Sequence, residues 1–598
     1  MGPTVTEPDE QYRLTDLEVF PAGGNVALVH ARDGSAARFV RGHIVDLMAQ
    51  CDEFRTLEDH LRLYGRRRNI GAAGMRALRG ELRKLAQSGL LDSRSVALQT
   101  VEGPDASSSS PGVSAIGFPT RDRVETLQRS VTSYLDNGRR FGRTDDLVVM
   151  DDSLDVAVRE AYRRMLGVLK SAYGGRVYYA GLEEKTAYAR RLADEGGLPP
   201  DVTRFACVGD DRYGVTTVGA NRNAILLHMV GDVFLSADDD TVCRSGRPPD
   251  RREGVAISSQ GFPEDVRFFP NREAAARSVC DVDHDVVASH EGWLGGSLKL
   301  LPSSEVRDSE TSLEDAEPGL LRRLRARACR VALTVNGTVG DCAWDNPHFY
   351  LFRQGAAFGR LVHSEEEYRV ARSSREVVQA VSRPTLTETA YPLLAMCIGL
   401  DNRRLLPPFA PVGKGEEVVF GATLTKCFDD AFAVRVPWCV THAPPQQRSL
   451  SSRHMFSVGP NLALYCIQAF DPGLTRSSDE KLLRLGNHLQ DVGRMTQGAF
   501  EEFIRWHKWD AMSARISALE DRLQADPPPY FQQDAEAVIS AMRRSALDPI
   551  EELYELEGGR ETLQGLLVRF GQLLIHWPRM VETARSLRTQ GVRLARQI

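Results

Sequence analysis

No stretch of the 598-residue chain approaches the roughly 18 apolar residues that a helix needs to cross a bilayer. Candidates such as Asn461 to Phe470 are short and interrupted. A basic-then-apolar leader is lacking after Met1-Gly2-Pro3, so no secretion signal is expected. The ten cysteines are scattered, with no Cys-x-x-Cys pair and no close Cys/His cluster. That spacing argues against a zinc site or a disulfide framework and predicts reduced core cysteines. A soluble, cytoplasmic protein is therefore expected. An excess of one charge is lacking too: 75 Lys and Arg face 81 Asp and Glu, for a net charge of -6. The whole chain gives no reason to expect nucleic acid or an anionic membrane as partner. The local run Arg66-Arg67-Arg68 reads as a solvated helix end or loop. Internal repeats are not found.

What is present is an ordinary globular composition, 42% hydrophobic and 26% charged. The length calls for two to four domains. Residues 12–98 carry short β-like runs, Val26 to His30 and Ala37 to Val40, then helical patterns near 41–51, 56–63 and 73–88. In the last of these Met75, Leu78, Leu82 and Leu85 recur every three to four residues and make one buried face. A small winged-helix unit is expected. Residues 99–112 hold Pro104, Ser107 to Ser110 and Pro111, the composition of a linker. From 113 to 474 the pattern changes to strand–helix alternation, and 475–598 reads as a helical C-terminal region broken at Asp526-Pro527-Pro528-Pro529. The apolar runs Val113–Phe118, Leu147–Met150 and Val233–Leu235 predict buried strands of a mainly parallel sheet, an α/β fold covered on both faces.

In such sheets ligands sit at the carboxyl ends of the strands. Two of the three apolar strands end there in acids: Asp151-Asp152-Ser153 and Asp238-Asp239-Asp240. Asp238 and Asp240 share one side of an extended segment, so both carboxylates could face one ion. Hard oxygen ligands with open positions suit Mg²⁺ or Mn²⁺ bridging a diphosphate. A bare acidic triplet also fits a loop start or a helix cap. Its context favours the ligand reading: Gly219 to Ala224 reads as a polar turn into a helix whose apolar face is Ile225, Leu226, Met229 and Val230. Free amides at that helix start, with Asn221 and Arg222, would meet a phosphate.

The run Gly219 to Thr241 resembles the centre of family-2-type glycosyltransferases with the nucleotide-diphospho-sugar (GT-A) fold. Phe118-Pro119-Thr120-Arg121-Asp122-Arg123 resembles their first strand–loop, and Val149 to Ser153 their second strand. The resemblance covers roughly residues 113 to 245, three motifs in order. It implies a metal on Asp238 and Asp240, with Pro119, Thr120, Arg121, Asp152, Asn221, Arg222 and Asp238 lining the donor nucleotide-sugar. Family members carry a Glu-Asp pair leading a helix under the acceptor. Here Glu416-Glu417 stands at that kind of position, which makes Glu417, with Glu416 as the alternative, the expected base. His442, in Pro437 to Pro444, is placed like the histidine that completes the metal shell in many GT-A enzymes. His290 in Ser289 to Trp293 is left as a packed histidine.

The N-terminal unit resembles the PqqD-like recognition element of peptide-modifying enzymes, on Phe39, the helix His43 to Cys51, Thr56-Leu57 and Leu82 to Leu91. That implies capture of a leader peptide as an added strand, although a winged helix also suits DNA. Together the resemblances imply an inverting transfer of sugar to a peptide or other small-molecule acceptor. Two alternatives stay open: a nucleotidyltransferase, against which the absence of glycine from Phe118 to Arg123 speaks, and a non-catalytic peptide- or DNA-binding scaffold. Sugar, base, acceptor atom and oligomeric state are not legible, and the C-terminal helices suit a dimer contact or an acceptor lid.

Overall fold

A computed structural model describes residues 10–598 apart from 102–111, 214–215, 297–311, 314, 326–328, 345, 389, 447, 449–461, 474, 476 and 546–557. Most of the expected linker, Ser107 to Ser110 included, lies outside the described residues.

The N-terminal unit runs β1 (Gln11–Leu14), β2 (Leu17–Pro21), β3 (Val26–Ala31), β4 (Ala37–Arg41), α1 (Gly42–Met48) and β5 (Arg55–Thr56). It continues through α2 (Leu57–Arg68), α3 (Ala72–Gln87), β6 (Leu91–Ser93) and α4 (Arg94–Val101). Strands β2, β3 and β4 form an antiparallel meander, and β5, β1 and β6 a second small sheet. Thr56 caps α2 by accepting from the Asp59 amide at 3.2 Å. The Leu78, Leu82 and Leu85 face of α3 packs onto Ile44, Leu47, Leu61 and Tyr64. Arg66, Arg67 and Arg68 occupy the exposed last turn of α2, where positive charge complements the helix dipole. Helix α4 ends at Val101, so regular structure reaches into the span read as linker. It packs Ala97 and Leu98 against Leu320, Leu321 and Leu324, and Arg322 pairs with Asp16 at 2.6 Å, so the unit is docked on the rest of the chain.

The larger part opens with β7 (Ala115–Thr120), α5 (Val124–Arg140), β8 (Asp146–Asp151), α6 (Val156–Ser171), β9 (Val177–Ala180), α7 (Leu182–Gly196), α8 (Pro200–Val208), α9 (Val218–His228) and β10 (Val233–Ala237). Strands β10, β7, β8 and β9 lie side by side and parallel, as the three apolar runs predict. Every residue of β7 and β10 is buried. Alternate residues serve opposite faces: Ala115, Val148 and Met150 belong to one core, Ile116, Phe118, Leu147 and Val149 to the other. Each of these Ile, Leu, Val, Phe and Met side chains, fully buried, contributes roughly 1.5–3 kcal/mol.

Beyond β10 the sheet becomes mixed. The later strands are β11 (Thr241–Arg247), β12 (Ala256–Ser258), β13 (Asp265–Phe269), β14 (Cys280–Asp281), β15 (Arg330–Asp341), β16 (Glu376–Ala380), β17 (Thr385–Thr387), β18 (Cys397–Asp401), β19 (Ala431–His442) and β20 (Arg596–Gln597). Strand β18 runs antiparallel to both β10 and β15, while the long β15 and β19 are parallel to each other. The mainly parallel sheet expected from the apolar runs thus holds for β7 to β10. It gives way where β18 enters between β10 and β15.

The C-terminal region is helical, but not a separate unit. The Gly559–Thr589 helix packs on Ser478–Gly493 through Gly486 and Gly571, where an added Cβ at Gly486 would lie 2.6 Å from the Gly571 carbonyl. Its Trp577 donates to the Leu406 carbonyl at 2.7 Å, and β20 pairs antiparallel with β9. The helices Gln497–Leu523 and Pro529–Ser545 form another core with Tyr350 and Tyr368, whose hydroxyls both donate to Asp534. Among the described residues no helix is long and apolar enough to cross a membrane. All cysteines except Cys280 are buried, and none is in a disulfide.

Candidate functional site

Strands β7, β8 and β10 deliver their carboxyl ends to one place. The Asp238 amide donates to the Met396 carbonyl and the Thr241 amide to the Asp238 carbonyl, which turns the triplet sharply after β10. Strand β11 then pairs with β19 in the register Thr241 to His442, and the Ala443 amide donates to the Asp240 carbonyl. That pairing brings His442 Nε2 within 3.3 Å of Asp240 Oδ1, although the two residues lie some two hundred positions apart.

Each acid of the triplet has its own partners. Asp238 accepts from Arg222 Nη2 at 2.6 Å. Asp239 accepts from Thr120 Oγ1 at 2.8 Å and Arg123 Nη1 at 3.1 Å. Asp240 faces His442, Arg123 at 3.3 Å and Arg448 at 3.4 Å. Burial, then the charge of Asp240, pushes Asp239 up to about 7. Burial likewise raises Asp238 to about 6 against the pull of Arg222. At Asp240 burial also acts upward, but the hydrogen bond and charge of His442, with Arg123 and Arg448, hold it down at about 2. The three acids thus separate into two that hold protons readily and one that stays ionised.

Among the described residues no three His, Cys, Asp or Glu side chains are gathered around one point. Of the expected ligands, Asp240 and His442 face each other, while Asp238 turns to Arg222. The donor chemistry nevertheless fits a divalent cation. His442 Nδ1 lies 2.7 Å from the Asp341 backbone carbonyl, which can only accept, so that nitrogen carries a proton. At Nε2 a second proton is held against burial by the hydrogen bond and charge of Asp240, which raise the His442 pKa, and a cation could take that proton's place. A histidine fixed by a backbone carbonyl on its far nitrogen is the usual support for a metal ligand. Asp341 is itself held bidentately by Arg375, at 2.9 and 3.0 Å.

A cleft of about 540 Å³ opens beside this cluster, lined by Arg121, Arg123, Glu125, Pro445 and Arg448 among others. Arg123 and Arg448 are 43% and 37% exposed, so both can leave Asp240 for an anion in the cleft. Asp122 begins its turn at φ +52°, stabilised by its amide donating to Ser153 Oγ at 2.8 Å. Pro119 is buried in β7, and Arg121 stands at the cleft wall beside Asp122.

On the β8 side Asp152 is buried against Lys185, whose Nζ also donates to Asn221 Oδ1 at 2.7 Å. Asn221 in turn donates to the Thr120 carbonyl at 3.1 Å, tying β7, α7 and α9 together. Burial raises the Asp152 pKa in spite of Lys185. Its Oδ2 is buried, and the Thr217 side chain also hydrogen-bonds the carboxylate.

Arg222 differs from expectation. Gly219 to Ala224 is not a turn, because α9 already begins at Val218, and Arg222 lies inside the helix. Its guanidinium is 3% exposed and engages Asp238, Ser236 and Glu416 rather than an open phosphate position. Helix α9 is packed this closely because Gly219 abuts the Ala410 carbonyl, where a Cβ would lie 1.9 Å from the oxygen. Glu416 and Glu417 start the Glu416–Cys427 helix after Gly415, which adopts φ +80°. Glu416 is buried; burial and then the Glu417 charge keep it protonated well above the carboxylate range, and a hydrogen bond joins the two acids. Glu417 is half-buried. His290 is buried and packed, its ring bonded to Thr334 and Asn336.

Sequence reasoning did not single out Arg123, Lys185, Arg448 or Tyr162, whose hydroxyl bonds Thr120 and the Arg123 amide. Arg123 lies within the Phe118–Arg123 motif, a signal that could have found it. The others come from distant helices and loops with no local mark.

No protein-family model and no curated protein matches the chain. One solved structure, described as mannosyltransferase PcManGT from Pyrobaculum calidifontis in complex with GDP-Man and Mn2+, is similar over 81% of this chain and 93% of its own. The identity is 12% and the TM-score 0.27. A likeness that slight leaves the functional reading to the residues described above.

Proposed function

We propose that the protein is a metal-dependent glycosyltransferase of the family-2, GT-A type, moving a sugar from a nucleotide-diphospho-sugar to an acceptor. The observation that carries this reading is the Asp240–His442 pair at the carboxyl end of parallel strands, opening onto an arginine-lined cleft. Asp240, His442 and Asp238 would hold Mn²⁺ or Mg²⁺, which would offset the charge developing on the leaving diphosphate. Arg123 and Arg448 would bind the diphosphate from the cleft wall. Asp152 would accept from a base or ribose donor, with Lys185 and Asn221 fixing its position. Glu417 is the base that would take the acceptor proton, while protonated Glu416, held by Arg222, orients it. One base on the acceptor side gives inversion at the sugar carbon.

For the acceptor, the exposed face of the N-terminal meander supports a peptide. Phe20, Leu28 and Phe39 are cross-strand neighbours in register, and Phe39 is 66% exposed. An apolar row on a small sheet suits an added peptide strand, the PqqD-like reading. The direct test incubates the protein with a panel of nucleotide-sugars, Mn²⁺ and candidate peptides, and reads nucleoside diphosphate release. Release that is unaffected by Asp240→Ala would remove the metal reading, and pyrophosphate as product would favour a nucleotidyltransferase.

A further inference from the structure

Asp240 is 3% exposed, yet three cationic side chains converge on its carboxylate. His442 Nε2 faces Oδ1 at 3.3 Å, while Oδ2 accepts from Arg123 Nη1 at 3.3 Å and from Arg448 Nη2 at 3.4 Å. The two guanidiniums reach that oxygen from different parts of the chain. Arg123 stands immediately before α5 and also donates to Asp239 at 3.1 Å. Arg448 follows β19, on a segment whose base is held by Arg129 donating to the Ala443 carbonyl and by Arg272 donating to the Pro444 carbonyl at 3.4 Å. Both arginines also line the cleft of about 540 Å³.

These contacts differ in kind from those of Arg222. Charge-assisted hydrogen bonds are typically about 2.7–2.9 Å long. Arg222 meets Asp238 at 2.6 Å, is 3% exposed, and is bound on further sides by Ser236, Glu416 and the Ala395 carbonyl. Arg123 and Arg448 form longer pairs with Asp240 and are 43% and 37% exposed. Pairs so wet are weak. Arg222 is therefore a fixed cation, while Arg123 and Arg448 are held loosely at the edge of a cleft that gives them room to turn. Taking both away without replacement would leave a buried carboxylate facing His442 alone, at a cost in stability. A divalent ion is the replacement that keeps the balance, because it brings two positive charges to Asp240 as two leave.

Resting on the metal reading of Asp240 and His442 given above, we propose that Arg123 and Arg448 are exchangeable counter-ions of Asp240. Without the ion they occupy Oδ2. Displaced by the ion's like charge, both guanidiniums turn into the cleft, where their planar forks match the oxygens of a diphosphate. Asp239 keeps its bond from Thr120 at 2.8 Å when Arg123 turns away. An ion binding alone has to displace two arginines that then find no partner. With a nucleoside diphosphate in the cleft, the same arginines are taken up by its oxygens. Ion and nucleotide therefore bind cooperatively, and by linkage each tightens the other by the same factor. The two arginines oppose the ion and assist the nucleotide, so removing either has opposite effects on the two ligands.

The test is calorimetry on the full chain, titrating Mn²⁺ alone and then Mn²⁺ in the presence of UDP and of GDP in turn. In the wild type the nucleotide that binds should tighten Mn²⁺ roughly tenfold or more. Arg123→Met and Arg448→Met should each bind Mn²⁺ alone roughly fivefold tighter than the wild type and lose most of that cooperativity. Arg244→Met, which removes an exposed arginine of β11 paired with Asp281 at 2.8 Å, should bind both ligands as the wild type does. Should Arg123→Met fail to fold, Arg448→Met, a change at a side chain more than a third exposed, decides alone. Binding of Mn²⁺ alone that is unchanged or weakened in Arg448→Met overturns the exchange, as does cooperativity that the methionine variants retain. Asp240→Ala separates this inference from the reading beneath it. Mn²⁺ binding that survives Asp240→Ala removes the metal reading and the exchange together. Binding that Asp240→Ala abolishes, with no gain in the methionine variants, overturns the exchange alone.

Discussion

Replacing Asp239 by Asn should stabilise the metal-free protein at high pH and lose that effect on acidification. Asp239 is 6% exposed, and burial beside Asp240 moves its pKa from the ordinary 3.8 to about 7. The sign follows from linkage. Between those two values the folded protein holds a proton that the unfolded chain releases, so stability falls as pH rises through the window. The full shift is worth on the order of 4 kcal/mol. Arg123, 43% exposed and wet, screens part of it, so about 2 kcal/mol is the working figure. Asn keeps the Thr120 contact and carries no charge. The assay is the melting temperature of both proteins in chelator from pH 5 to pH 8. For a chain of 598 residues the variant-minus-wild-type difference should grow by about 1 °C with rising pH. A difference that is flat, or that shrinks as pH rises, would refute the account of a charge buried against Asp240.

Two further outcomes follow from the same geometry. Lys185→Met leaves Asp152 buried without its cation, so it should lower stability by about 3 kcal/mol and weaken nucleotide binding at least tenfold, read by denaturation and by calorimetry. Phe39→Glu, on the exposed meander face, should raise the KM for a peptide acceptor several-fold while donor hydrolysis is unchanged. Equal loss of both activities would assign that face a structural role instead.

The strands that carry the site are legible in the sequence because their apolar runs are continuous: β7, β8 and β10 are buried on both faces, and the acids at their ends have no packing reason to be there. Helix α9 is legible as a helix but not in its role. It is buried on every side, so it lacks the polar–apolar contrast that would mark its start, and Arg222 reads as a phosphate ligand when its charge is directed at Asp238 and Glu416. The meeting of Asp240 with His442 depends on the register of β11 on β19, which no local pattern fixes. Lys185 reaches Asp152 from the helix after β9, and Arg448 reaches Asp240 from 208 residues away. The mixed half of the sheet was hidden for a similar reason. Strand β18 is not among the runs singled out, and its antiparallel entry between β10 and β15 is set by chain path rather than by composition.

The most direct measurement is calorimetry of nucleoside diphosphate binding with and without Mn²⁺, in the wild-type protein, Asp240→Ala and His442→Ala. The account predicts binding in the wild type that is at least roughly tenfold tighter with Mn²⁺, and loss of that metal dependence in both variants. Wild-type binding that is the same with and without the ion, or metal dependence that survives both substitutions, would contradict it.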